Sequence, residues 1–94
     1  MNSSIVIALP KIDDAKKIRT ILNRHGFPVA AVCSTASTAL ASMSELDGGI
    51  LICGYKLTDR YYRDVLEDIP SYFEMLLLAS GRVIAEAPTS VLTV

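Results

Sequence analysis

The sequence predicts a single α/β domain built on a doubly wound parallel sheet. Short apolar runs rich in β-branched residues alternate with longer segments whose apolar residues recur every three or four positions. The chain has 94 residues, which is enough for one core and too few for two independent domains. Because strands and helices alternate, we expect right-handed crossovers, a parallel sheet and helices on both of its faces.

The first strand and the first helix are predicted from the N-terminal part of the chain. Residues 4–9 form a continuous apolar run stopped by Pro10, which is typical of a strand buried on both faces. Asp13 or Asp14 can cap the helix that follows, and Gly26 is placed to end it in the left-handed conformation. The apolar stripe of this helix is Ala15, Ile18, Ile21 and Leu22.

The second strand, second helix and third strand follow in the same way. Residues 29–33 predict a strand, and the hydroxyls of Ser34 and Thr35 offer capping groups for the next helix. That helix is expected to end at residues 47–49, Asp-Gly-Gly, which tolerate positive φ. Its stripe is Ala36, Ala39, Leu40 and Met43, and residues 50–53 predict the third strand.

The C-terminal part of the chain predicts one more helix and two more strands. A charged segment ended by Pro70 has apolar residues on one helical face, at Tyr62, Val65, Leu66 and Ile69. Residues 75–79 predict a fourth strand and residues 91–94 a fifth, with a short or irregular connection between them. No closing helix follows. We therefore expect a fragment of a longer regulator or a domain completed by a partner.

Composition and charge disfavour several classes of protein. Nine basic and ten acidic residues give a net charge of −1, so no strong field attracts nucleic acid or anionic lipid. The chain has neither an apolar stretch of about 20 residues nor a secretory signal. A cytoplasmic location with no membrane or DNA partner is therefore expected. Cys33 and Cys53 lie in apolar segments without metal-ligand spacing and are predicted to be buried thiols.

The carboxyl ends of the predicted strands are where a ligand would bind in a parallel sheet. No carboxylate stands directly at any of these ends, and Asp59 lies farther along the chain, at a capping position. The turn after the first strand has no Gly-rich phosphate loop, and His25 is the only histidine. We therefore expect no metal, no cofactor and no catalytic triad.

Four tyrosines and a run of alternating charges surround the third predicted helix. Exposed aromatic residues there would form a contact surface, although core packing is expected for at least half of the tyrosines. The tyrosines are Tyr55, Tyr61, Tyr62 and Tyr72. Arg60 and Arg63 alternate with acidic residues, which is typical of a solvated helix face with paired charges.

The order and lengths of these elements resemble the receiver domain of bacterial response regulators over residues 4–80. The stretches IVIALPKIDDAKKI, HGFPVAAVCS, ELDGGILICGYKL and FEMLLLAS resemble, more specifically, the N-terminal receiver-like region of regulators that carry an ANTAR RNA-binding module. The resemblance implies a flavodoxin-like receiver fold, truncated at its C-terminal end, that works in two-component signal transduction.

Active receivers hold Mg²⁺ with an acidic pair after the first strand and accept phosphate on an aspartate that ends the third. They also use a Ser or Thr after the fourth strand and a Lys after the fifth. In this sequence the acidic pair aligns with Leu9 and Pro10, and the acceptor aligns with Gly54. The conserved hydroxyl residue aligns with Ala79, although Ser80 follows, and the lysine position lies beyond the end of this chain or is missing. The resemblance therefore implies a pseudo-receiver with a degenerate phospho-acceptor pocket.

The function that this resemblance implies is binding rather than catalysis. The expected partner is a protein or a second copy, and RNA would be contacted only by a C-terminal antitermination module outside these 94 residues. Tyr55, Lys56 and Leu57, near the degenerate pocket, are the expected interaction surface, with the uncovered side of the fourth strand. Two alternatives stay open: a small-molecule sensor or enzyme that uses the vacated pocket, with Cys53 or Ser80 as its polar group, and a structural oligomerisation module.

Overall fold

Five apolar strands pair in parallel to form one sheet in a computed structural model of the chain, which describes residues 4–78 and 91–93. The strands are β1 (Ser4–Ala8), β2 (Val29–Cys33), β3 (Gly49–Gly54), β4 (Phe73–Leu78) and β5 (Val91–Thr93). The helices are α1 (Ile12–Arg24), α2 (Ala36–Ser44) and α3 (Tyr62–Asp68). The predicted parallel α/β architecture is confirmed.

The sheet has the strand order β2-β1-β3-β4-β5, which puts β1 and β3 at its centre. Ile7 of β1 pairs with Val32 on one side and with Ile52 on the other. Because all strands run in the same direction, their carboxyl ends meet at one edge of the sheet. The loops that follow β1, β2 and β3 therefore lie close together at this edge, which is where the candidate site must be sought.

Helices cover both faces of the sheet, as expected from the alternation. On one face, buried strand residues pack against α2 and α3, and the main members of this cluster are Val6, Leu51, Cys53, Met75, Leu77, Ala39, Met43, Tyr62 and Val65. On the other face, Ile7, Leu9 and Ile52 pack against Ala15 of α1. Within the described residues, no helix is long and apolar enough to cross a membrane.

The start of α1 differs from the prediction, whereas its end agrees. The helix begins at Ile12 with Lys11 as its N-cap and without a capping side chain. Asp13 and Asp14 lie inside the first turn, where their charges favour the positive end of the helix dipole. The expectation that one of them is the cap is therefore wrong. Gly26 has a φ of 84° and follows the last turn, as predicted.

The start of α2 agrees with the prediction, and its end comes earlier than expected. The Thr35 hydroxyl accepts a hydrogen bond of 3.2 Å from the Thr38 N–H, which confirms the predicted cap. The helix stops at Ser44, and positive φ values occur at Gly48, in the turn before β3, and at Gly49, the first residue of that strand. Both cysteines are buried free thiols, as predicted. The predicted β4 residue Ala79 and the β4–β5 connection lie outside the described residues.

Candidate functional site

Carbon atoms fill the space beside the carboxyl end of β3. Gly54, the last residue of this strand, is buried, and a Cβ placed on it would lie 3.2 Å from Leu9 Cδ2 and 3.3 Å from Pro10 Cδ. Leu9 is only 8% exposed. The structure therefore brings together three residues of the expected degenerate pocket, and they pack against one another. The other two, Ala79 and Ser80, lie outside the described residues.

These three residues offer little chemistry. None of their side chains carries a nucleophile, a titratable group or a metal ligand. The Leu9 N–H already donates to the Cys33 carbonyl at 3.1 Å, and Pro10 has no N–H to offer. Across residues 4–78 and 91–93, no group of three or more His, Cys, Asp or Glu residues is placed to hold a metal ion.

The carboxylate that follows β3 most closely, Asp59, binds the start of α2. Its Oδ1 accepts a hydrogen bond of 2.7 Å from the Ala36 N–H. Its Oδ2 accepts from the Ser37 N–H at 3.2 Å and from the Ser37 hydroxyl at 3.3 Å. These bonds, that from Ala36 foremost, hold the pKa of Asp59 below its ordinary value of 3.8. Asp59 is thus a cap, as expected, but it caps a helix that precedes it in the chain.

Residues 55–61, which we call the 55–61 loop, form a tight turn tied down at several points. Lys56 and Tyr61 form an antiparallel bridge, and the Tyr62 N–H donates to the Tyr55 carbonyl at 3.0 Å. The Thr58 hydroxyl donates to the Ser34 carbonyl, at the start of α2, at 3.0 Å. The loop is therefore fixed to α2 as well as to the two elements that it connects.

Leu57 lies inside the core instead of on the expected interaction surface. Its side chain is only 1% exposed and belongs to the cluster beneath α2 and α3. The reason is the tight turn, in which the Leu57 N–H donates to the Arg60 carbonyl at 2.7 Å and the side chain turns inward. The expectation that Leu57 contributes to the surface is therefore wrong. Leu57 instead anchors the 55–61 loop.

The outer side of the loop carries Tyr55 and Lys56, which were expected there, and Tyr61, which was among the four tyrosines considered for a contact surface. Tyr55 is 51% exposed and Tyr61 is 47% exposed, and their rings pack edge to face with centroids 5.8 Å apart. The Lys56 ammonium lies 5.2 Å from the centroid of the Tyr61 ring. We call Tyr55, Lys56 and Tyr61 the tyrosine face.

The expectation that at least half of the four tyrosines pack in the core is wrong. Tyr62 alone among them is buried, because it lies on the inward stripe of α3, whereas the other three lie in loops. The expected charge pairing is present in a different geometry. Arg60 donates to Asp68 at 2.7 Å, and Arg60 precedes α3, so this pair joins the loop to the last turn of the helix.

Cys53 is poorly suited to be the polar group of a reactive pocket. Burial raises the pKa of its thiol to about 12, and its Sγ–H donates to the Gly54 carbonyl at 3.3 Å. The thiolate is the nucleophilic form of cysteine, so this thiol is held in its unreactive form at neutral pH.

Replacing Asp59 with asparagine should lower the thermal unfolding midpoint at neutral pH. The midpoint of the variant should also fall less than that of the wild type when the pH is lowered. Because the pKa of Asp59 is depressed in the folded state, its carboxylate stabilises the fold above the ordinary pKa of 3.8. That contribution is lost as the pH falls through the folded-state value. Thermal unfolding followed by circular dichroism, from neutral pH into this acid range, measures both effects.

Asp47→Asn is the matched control for this experiment, because Asp47 is exposed and makes no hydrogen bond within the part of the chain that the structure describes. Its midpoint should follow that of the wild type at every pH. The same pH profile in Asp59→Asn as in the wild type would contradict the capping role of Asp59.

The strand order β2-β1-β3-β4-β5, with helices on both faces, defines a flavodoxin-like α/β protein. The solved structures similar to this chain include receiver domains of response regulators. The resemblance to receivers is thereby confirmed at the level of the fold. No protein family model and no curated protein sequence matches the chain.

Three solved structures show this likeness. The anti-anti-sigma factor PhyR from Bartonella quintana is similar with a TM-score of 0.70 and 15% identity. The match covers 83% of this chain but only 33% of the PhyR chain. The response regulator receiver domain protein bh3024 from Bacillus halodurans has a TM-score of 0.69 and 18% identity, covering 100% of this chain and 84% of its own. The receiver domain of PhyR from Erythrobacter litoralis has a TM-score of 0.65 and 15% identity, covering 98% of this chain and 78% of its own.

Proposed function

We propose that this chain is an atypical receiver domain that works in signal transduction by binding a protein partner and does not accept a phosphoryl group. The observation that carries the proposal is the packing of Leu9 and Pro10 against Gly54. By resemblance to active receivers, Leu9 and Pro10 occupy the positions of the acidic pair and Gly54 occupies the position of the phospho-acceptor. Carbon occupies the place in which phosphoryl transfer needs oxygen ligands and a nucleophile.

The chemistry of phosphoryl transfer supports this proposal. Transfer to an aspartate needs a free carboxylate in line with the leaving group and a cation that neutralises the developing charge. Asp59, the first carboxylate after β3, is engaged by two backbone N–H groups of α2 and its side chain is a structural cap. The Cys53 thiol is protonated and buried.

The proposed output is control of an RNA-binding antitermination module of the ANTAR type, located outside these 94 residues. Two findings support it: the receiver fold and the four sequence stretches that resemble receiver-like regions of such regulators. With a net charge of −1, this chain lacks the positive field that nucleic-acid binding normally requires. Regulation would therefore pass through protein contacts, and one protein with this fold is named an anti-anti-sigma factor.

Incubation of the purified chain with acetyl phosphate and Mg²⁺ should leave its intact mass unchanged. The physical reason is that no free carboxylate and no group of metal ligands lies beside Gly54 among the residues that the structure describes. Intact-protein mass spectrometry before and after acid treatment measures this outcome. A receiver that has the acceptor aspartate, treated in parallel, shows that the reagent is active.

Asp59→Asn serves as the matched variant in the same assay. Wild type and variant should both remain unmodified. An acid-labile phosphoryl adduct that requires Mg²⁺ in the wild type would overturn the proposal. Its loss in Asp59→Asn would identify Asp59 as the acceptor, and its persistence would place the acceptor elsewhere.

A further inference from the structure

The tyrosine face belongs to a loop that is fixed to the rest of the fold at several points. Leu57 anchors the 55–61 loop in the core, and the loop is bridged between Lys56 and Tyr61. Asp59 and Thr58 bind it to the start of α2. A surface that is already ordered loses less conformational entropy when a partner binds, which favours recognition.

The charged side chains of the 55–61 loop differ in whether they are paired. The carboxylate of Asp59 faces the N-terminus of α2, and the guanidinium of Arg60 is paired with Asp68. Lys56 is exposed and lies over the Tyr61 ring, and it makes no ion pair with any residue that the structure describes. The outer side of the loop therefore presents one uncompensated positive charge beside two aromatic rings.

The two exposed tyrosines give this face the composition of a protein contact. Tyr55 packs edge to face on Tyr61 and also contacts the buried Tyr62, with 5.5 Å between the ring centroids. Tyrosine is enriched among the residues that contribute most to binding energy at protein interfaces, because it combines apolar area with a hydroxyl and few rotatable bonds.

From this arrangement we infer that the tyrosine face is the docking site for an acidic segment of a protein partner. The inference rests on the proposed function, that the chain acts by binding. A carboxylate of the partner would pair with the Lys56 ammonium, and neighbouring apolar groups would pack on the rings of Tyr55 and Tyr61. A second copy fits this face poorly, because a two-fold contact through it would bring two Lys56 side chains together.

The test is a titration of the isotope-labelled 94-residue chain with two peptides of equal length, followed by amide chemical shifts. One peptide alternates glutamate with proline and the other alternates lysine with proline. We expect saturable shift changes within residues 55–61 for the glutamate peptide only. Lys56→Glu, and separately Tyr55→Ala with Tyr61→Ala, should each weaken its affinity about tenfold. Tyr72→Ala is the matched control, because Tyr72 is 50% exposed and lies outside this face, and it should bind like the wild type.

Three results would overturn the inference. The glutamate peptide would show no saturable binding, or the lysine peptide would bind equally well. In the third result, the chemical shifts of residues 55–61 would depend on protein concentration in the absence of peptide, which would indicate that a second copy occupies this face. Lys56→Glu keeps the test decisive if the double tyrosine variant fails to fold. The outcome is separate from that of the phosphorylation assay. A phosphoryl adduct would overturn the proposed function regardless of the peptide result. A lack of peptide binding would overturn only the docking site and would not affect the proposal that the chain does not accept a phosphoryl group.

Discussion

Gly49→Ala should destabilise the protein by at least about 3 kcal/mol, a large part of the 5–15 kcal/mol that stabilises a typical domain. Gly49 has a φ of 153°, and a Cβ on it would overlap the backbone of Ser4, whose carbonyl oxygen is nearest. Ser4 and Gly49 form the first pair between β1 and β3. The two central strands would have to separate there. Urea unfolding followed by circular dichroism measures the loss.

Gly26→Ala is the matched control for this substitution. Gly26 also has a positive φ, of 84°, but a Cβ there would meet no atom within 4 Å. Its cost should therefore be limited to the backbone conformation, about 1 kcal/mol. Equal losses in the two variants would show that the close approach of β1 to Gly49 has no energetic importance.

Leu57→Ala should cost about 2–5 kcal/mol, as expected for a leucine removed from a packed core. The side chain is buried although it belongs to a loop, and it contacts the cluster beneath α2 and α3. Its removal leaves a cavity under the 55–61 loop. The free energy of unfolding in urea measures the cost, and amide hydrogen exchange of residues 55–61 should become faster.

Lys56→Ala provides the comparison one residue away. Lys56 is exposed, so its truncation should change the free energy of unfolding by no more than about 0.5 kcal/mol. If Leu57→Ala were as mild as Lys56→Ala, the role of Leu57 as the anchor of the loop would be wrong.

The sequence predicted the elements that depend on local patterns. Continuous apolar runs identified the strands, because a parallel sheet is buried on both faces, and the helical stripes identified the helices. Thr35 as a cap and Gly26 as a terminator follow from short-range chemistry. These features need no knowledge of what lies elsewhere in the fold, which is why they could be read from residue order.

The candidate site was predicted only in part, because its contacts are long-range. Residue order identified Asp59 as a cap but could not name Ala36, 23 positions earlier, as its partner. Leu57 and Tyr55 both follow β3, and only the turn geometry decides which of them faces inward. The strand ends predicted Leu9, Pro10 and Gly54 at one edge of the sheet, whereas their mutual packing is visible only in the distances between them.

The contact between Gly54 and the residues that follow β1 limits which side chains position 54 can carry. A Cβ at position 54 would lie 3.2 Å from Leu9 Cδ2 and 3.3 Å from Pro10 Cδ, so these neighbours would have to shift by a few tenths of an ångström to admit a larger residue. An aspartate introduced at position 54 would therefore fit best together with smaller residues at positions 9 and 10.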